Sequence, residues 1–113
     1  MSGRAGERVS GGSMHVGVLR MELHLEASSS LKAKRAVIRH LIETARRRHG
    51  VSASEVAYHD LWQRSALGFA VVAPTSTHAE ELLDRVERFV WSHPEVSVVA
   101  SSRQWVELDE LDG

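Results

Sequence analysis

Between Val16 and Glu26 the chain alternates, with Leu19, Met21, Leu23 and Leu25 set against Arg20, Glu22, His24 and Glu26. A period of two places one apolar row on one face, which predicts a strand buried on one side. The triple serine Ser28–Ser30 then supplies N-cap candidates, and Leu31, Ile38, Leu41, Ile42 and Ala45 recur at helical spacing. Gly50 follows as a left-handed stop, and Arg46–Arg48 complement the C-terminal end of the helix dipole, so the helix is expected to run to about His49. Val51–Tyr58 reads as a second strand. Ala66–Ala73 reads as a third, apolar at nearly every position, as a central strand is. Thr77-His78-Ala79-Glu80 has the form of a capping box ahead of Leu82, Leu83, Val86, Phe89 and Val90 at helical spacing. Pro94 forbids continuing that helix, and Val96–Val106 makes the last strand.

The resulting order is βαββαβ. Two right-handed crossovers of this kind pack both helices on one face of a four-stranded antiparallel sheet, an α+β ferredoxin-like sandwich. The first and third strands are central in that topology, and they are the more apolar candidates here. Residues 1–13, MSGRAGERVSGGS, are polar and Gly/Ser-rich without a period, and are expected to form a disordered extension. Met14, which opens the patterned segment, is an alternative start. The domain is expected over 14–106, with 107–113 an acidic tail that frays into solvent.

Composition narrows the chemistry. With 113 residues and 42% apolar content the chain holds one domain with a core of its own. The absence of cysteine excludes disulfides, thiol catalysis and thiolate metal sites. The seven histidines are scattered without ligand spacing, so no metal or cofactor is expected. No apolar run is long enough for a membrane helix and no signal-peptide core is evident; a soluble cytoplasmic protein without a membrane partner is expected. The formal charge of −1 hides a division: residues 1–50 carry ten Lys/Arg against four Asp/Glu, and residues 51–113 carry four against eleven.

Much of the positive charge falls on the first helix. Lys32, Arg35, Arg39 and Arg46 form a stripe beside the apolar face, broken by Glu43, and Arg47 and Arg48 extend it. Such a ridge suits a phosphate backbone through charge-assisted hydrogen bonds. It also suits a plain solvated face, or pairing with the acidic second helix (Glu80, Glu81, Asp84, Glu87). Lys34 is the misfit, projecting into the apolar arc, where it can snorkel or meet a carboxylate.

Tyr58-His59-Asp60-Leu61-Trp62-Gln63-Arg64 turns the chain without Gly, Pro or Asn. A His59–Asp60 acid–base pair needs a turn to bring the two side chains together, and no nucleophile in a recognisable context accompanies them. Binding through Trp62 and Arg64 is the stronger functional reading, with a packed corner as the alternative. Base stacking on the sheet in the manner of an RNA-recognition motif is disfavoured, because the first strand has no aromatic and the third only Phe69. An acylphosphatase-like site is excluded, since the chain has no Asn to position water. No small-molecule substrate is evident.

Met14-His15-Val16-Gly17-Val18-Leu19, Ser30-Leu31-Lys32 with Lys34-Arg35, Glu55-Val56, and Asp60-Leu61-Trp62-Gln63-Arg64 with Leu67-Gly68 together resemble the small bacterial YlxP-like proteins, a family of unknown function. The likeness covers about residues 14–106. It implies a ferredoxin-like fold and a gene found among translation and ribosome-maturation genes; it carries no catalytic residues. The chain departs from the family's usual form in residues 1–13 and at Tyr58-His59. The expected function is thus a non-enzymatic accessory protein that contacts rRNA or the 30S subunit through Lys32, Lys34, Arg35, Arg39 and Arg46–Arg48, with Trp62 and Arg64 adding stacking or positioning. The alternative is a homodimeric interaction module that uses the uncovered sheet face.

Overall fold

The computed structural model describes residues 12–108. Six elements follow one another: β1 (Met14–His24), α1 (Leu31–His49), β2 (Ser52–Ala57), β3 (Arg64–Ala73), α2 (Ser76–Trp91) and β4 (Ser97–Leu108). The strands form one antiparallel sheet in the order β2-β3-β1-β4, so the two most apolar strands are central.

Leu19, Met21 and Leu23 of β1 and Leu67, Phe69 and Val71 of β3 point to one face. There they meet Ile38, Leu41 and Ala45 of α1 and Ala79, Leu83, Val86 and Val90 of α2 in a single core. Each of the larger apolar side chains among them, fully buried, contributes about 1.5–3 kcal/mol, and the alanines less. The opposite face, which carries Val18, Arg20, Glu22, Gly68, Ala70 and Val72, has no helix over it among the described residues.

Local chemistry sets the helix ends. Ser30, extended at φ −162°, accepts the Ala33 N–H on its hydroxyl at 3.0 Å, and Gly50 ends α1 in the left-handed region at φ 65°. The second helix starts earlier than its capping-box motif suggests. Thr75, not Thr77, is the N-cap, with its hydroxyl accepting the His78 N–H at 3.1 Å. Pro74 keeps the chain extended as it leaves β3, and Thr75 is the first residue beyond it able to cap. At the other end, β4 takes in Glu107 and Leu108, which pair with His15 and Met14. That correction shortens the expected tail. The expectations for residues 1–11 and 109–113 lie outside the described residues. Among the described residues no helix is long and apolar enough to cross a membrane, and no group of three or more His, Asp or Glu is placed to hold a metal.

Candidate functional site

Two stretches distant in sequence meet at one end of the sheet, around Lys34. This lysine is fully buried. Its ammonium lies 2.9 Å from Glu55 Oε2 and donates to the carbonyls of Tyr58 at 2.6 Å and His59 at 3.4 Å. Ser65 Oγ donates to the same Glu55 oxygen at 2.6 Å. An ammonium has three hydrogens to give, and these three acceptors take them all. The buried charge is therefore both paired and hydrogen-bonded, the condition under which it is tolerated.

The clamp shapes the corner. Tyr58 has φ 65°, a left-handed backbone that a bulky residue rarely adopts. That conformation is held by its carbonyl, which accepts from both Lys34 and the Leu61 N–H, the latter at 3.1 Å. Farther along, the Gln63 carbonyl accepts the Leu25 N–H at 2.9 Å, and its amide donates to the carbonyls of Glu26 and Ser28 at 3.1 and 3.3 Å. The corner is thus tied to α1 at one end and to the β1–α1 connection at the other. Ser30 caps the helix that carries Lys34, so Ser30, Lys34 and Gln63 all position the corner.

Lys34 is accordingly removed from the expected phosphate contacts, because it cannot reach solvent. The acid–base idea also fails on geometry: the His59 ring nitrogen Nε2 lies 3.2 Å from the Glu55 carbonyl, not against Asp60. Leu61 and Trp62 project outward over a shallow hollow of about 410 Å³ lined by Asp60–Arg64.

Arg64 turns to the uncovered sheet face. Alternation places Ser65 toward α1 and Arg64 away from it, where its guanidinium stacks 4.1 Å above the Tyr58 ring and lies 3.2 Å from Glu22. Arg20 approaches the other oxygen of Glu22 at 2.7 Å. Hydrogen bonding to Arg20 holds the Glu22 carboxyl below its ordinary range and raises the Arg20 guanidinium. Arg64 and the α1 ridge therefore lie on opposite faces of the sheet, a separation that the residue pattern does not reveal. The Arg20–Glu22–Arg64–Tyr58 cluster was also missed, although Arg20 and Glu22 sit on the polar row of β1.

On α1 itself, Lys32, Arg35, Arg39, Arg46, Arg47 and Arg48 are exposed. Lys32, Arg35, Arg39 and Arg46 fall within about 60° of arc over roughly 21 Å of helix. Arg46 also donates to the Ala53 carbonyl at 2.7 Å. Arg35, Arg39 and Arg46, with Glu43, line a shallow groove of about 290 Å³ between α1 and β2. Among the described residues none of these six cations is held in an ion pair. Among the described residues α1 makes no ion pair with α2: Asp84 and Glu87 turn instead to Arg103 of β4, at 2.8 and 2.7 Å.

The family described as "Protein of unknown function (DUF503)" matches residues 16–103, which include Lys34, Glu55 and the whole corner. The uncharacterized protein YlxP of Bacillus subtilis (strain 168) is 33% identical over 90 residues, covering 80% of this chain and 98% of that protein. Among solved structures, the de novo designed protein Foldit4 superposes with a TM-score of 0.48 at 13% identity, over 87% of this chain and 99% of that one. With the family match spanning β1 to the middle of β4, the chain belongs to the YlxP-like DUF503 family.

Proposed function

We propose that this chain is a non-enzymatic accessory protein of translation or ribosome maturation, acting in the cytoplasm, that grips rRNA on the small subunit through α1. One observation carries the proposal: Lys32, Arg35, Arg39 and Arg46 stand in a row, exposed and free of ion pairs among the described residues, with Arg47 and Arg48 beyond them. A helix face whose cations are not neutralised from within is available to displace counterions from phosphates. The groove beside it gives a strand of phosphates a track, and Trp62, 54% exposed at the clamped corner, offers a stacking surface. Lys34 serves indirectly, by holding that corner.

A salt titration with purified 30S particles and with single-stranded RNA tests the proposal. Binding at low salt is expected to weaken steeply as salt rises, and Arg35→Glu with Arg39→Glu is expected to abolish it while leaving the urea midpoint in place. Absence of binding at low salt sinks it.

A second function rests on a different surface. Val18, Val56, Val72 and Val106 are exposed on the uncovered sheet face, and Val18 and Val56 line a trough of about 520 Å³ there with Gly68 and Ala70. A second copy closing this face would make the chain a homodimeric interaction module. Light scattering at high micromolar concentration decides the matter, and a monomer there removes this alternative.

A further inference from the structure

The sheet has two edges, and they are built differently. β2 is short, with 6 residues, and is irregular between Glu55 and Ala57. Its Ala53 carbonyl already accepts from Arg46. Short strands, irregularities and occupied backbone groups are the usual means of closing an edge to further pairing. β4 has 12 residues and, among the described residues, neighbours only β1. Its irregularity comes near its start, opposite Glu22 and Leu23, and from Ala100 to Leu108 its register with β1 is unbroken. About half of the backbone N–H and C=O groups in that stretch point outward from the sheet. No proline interrupts it, and Trp105, Val106 and Leu108 are exposed along it. A long, regular, partly apolar edge of this kind is a template for another strand.

The helix beside this edge is acidic. Glu80, Asp84, Glu87 and Trp91 fall within about 60° of arc on α2. That arc faces β4: Asp84 and Glu87 bind Arg103, and Glu87 also accepts from Ser101 Oγ at 2.8 Å. Between helix and strand runs a groove of about 600 Å³ lined by Asp84, Glu87, Arg88, Trp91, Ser92 and Arg103. Glu107 lies farther along β4 on the same face as Arg103 and Trp105. Four carboxylates thus meet two guanidiniums on this flank, and the indoles of Trp91 and Trp105 are 58% and 42% exposed.

We propose that β4 accepts an extended, positively charged segment of a partner polypeptide as a fifth strand. Backbone pairing holds the segment, and alternate side chains on the helix side bring cations to Glu80, Asp84 and Glu87 and apolar groups to the two indoles. Self-association through this edge is opposed on charge, because β4 against β4 about a two-fold axis sets one acidic α2 against another. The basic β2 edge of a second copy is closed by its own geometry. The site is separate from the α1 ridge and does not depend on RNA binding.

The test is amide hydrogen exchange on the full chain, read residue by residue by NMR. A synthetic peptide of alternating lysine and valine, as long as β4, is expected to slow exchange at alternating amides of residues 100–108 at least about ten-fold, and added salt is expected to reverse it. The glutamate–valine counterpart, and the lysine–valine peptide N-methylated at every second residue, are expected to bind at least about ten-fold more weakly, a loss of about 1.4 kcal/mol. Glu80→Lys, a surface change, is expected to weaken the lysine–valine peptide while leaving RNA affinity at physiological salt within about two-fold. Unchanged exchange in β4, or equal binding of the glutamate peptide, overturns the proposal. So does protection of these amides without peptide in a chain that sediments as an oligomer, since a second copy then fills the edge.

Discussion

Taking away the Lys34 ammonium leaves Glu55, only 15% exposed, beside the carbonyls of Tyr58 and His59 with no cation among them. Lys34→Met keeps the apolar stem and removes only the charge, so the expected loss is that of a broken buried pair, about 3–5 kcal/mol from urea unfolding. Adding Glu55→Gln is expected to restore part of it, and the double-mutant cycle isolates the coupling. A change of the same size in both single variants with no coupling would show that packing alone is at stake. His49 gives a separate expectation. Burial first, then the charges of Arg48 and Arg85, holds its imidazole below the ordinary value of 6.5, where it packs on Phe89. The unfolded chain therefore binds the proton more readily. The stabilisation is complete above about pH 6.5 and is lost as pH falls through the lower folded value. His49→Gln is expected to flatten that part of a stability–pH profile. The anomaly of Lys34 was legible, as a cation in the apolar arc of α1. Its partners were not, because they depend on β2 and the corner passing beneath the helix.

At the scale of elements, period and punctuation carried nearly everything: six elements in order, central β1 and β3, and both helices on one face. The misplaced boundaries trace to competition between local signals of similar strength. Thr75 and Thr77 are both able to cap, and the geometry of the chain leaving Pro74 decides between them. Thr75→Ala is expected to cost about 1 kcal/mol, and Thr77→Ala a few tenths, in thermal or urea unfolding. The reverse order would restore the capping-box start. Gly17 shows what no periodicity reveals. A Cβ there would sit 2.6 Å from Trp105 Cζ3, so β1 carries no side chain where the β4 indole lies across it. Gly17→Ala is expected to displace the ring and destabilise by about 1–3 kcal/mol, with a shift of the Trp105 indole N–H resonance as the local sign.

Across the whole molecule, the division of charge along the chain becomes a division across the sheet. The basic row of α1 lies beside β2 and the acidic row of α2 beside β4, at opposite edges. Three inter-strand spacings separate those edges, about 14 Å. The Debye length is about 8 Å at physiological salt and about 30 Å at 0.01 M. At physiological salt the acidic edge is therefore screened from a polyanion on α1, and at 0.01 M it is not. Glu80→Gln with Glu81→Gln is accordingly expected to leave RNA affinity within about two-fold at physiological salt and to raise it at 0.01 M. Arg35→Glu with Arg39→Glu is expected to abolish binding at both. With about five cations engaged, the log–log salt slope of the parent chain is expected between about −3.5 and −4.5. An equal effect of the glutamate substitutions at both salt concentrations would mean that the acidic edge touches the RNA, and the α1 ridge would then not be the whole of the contact.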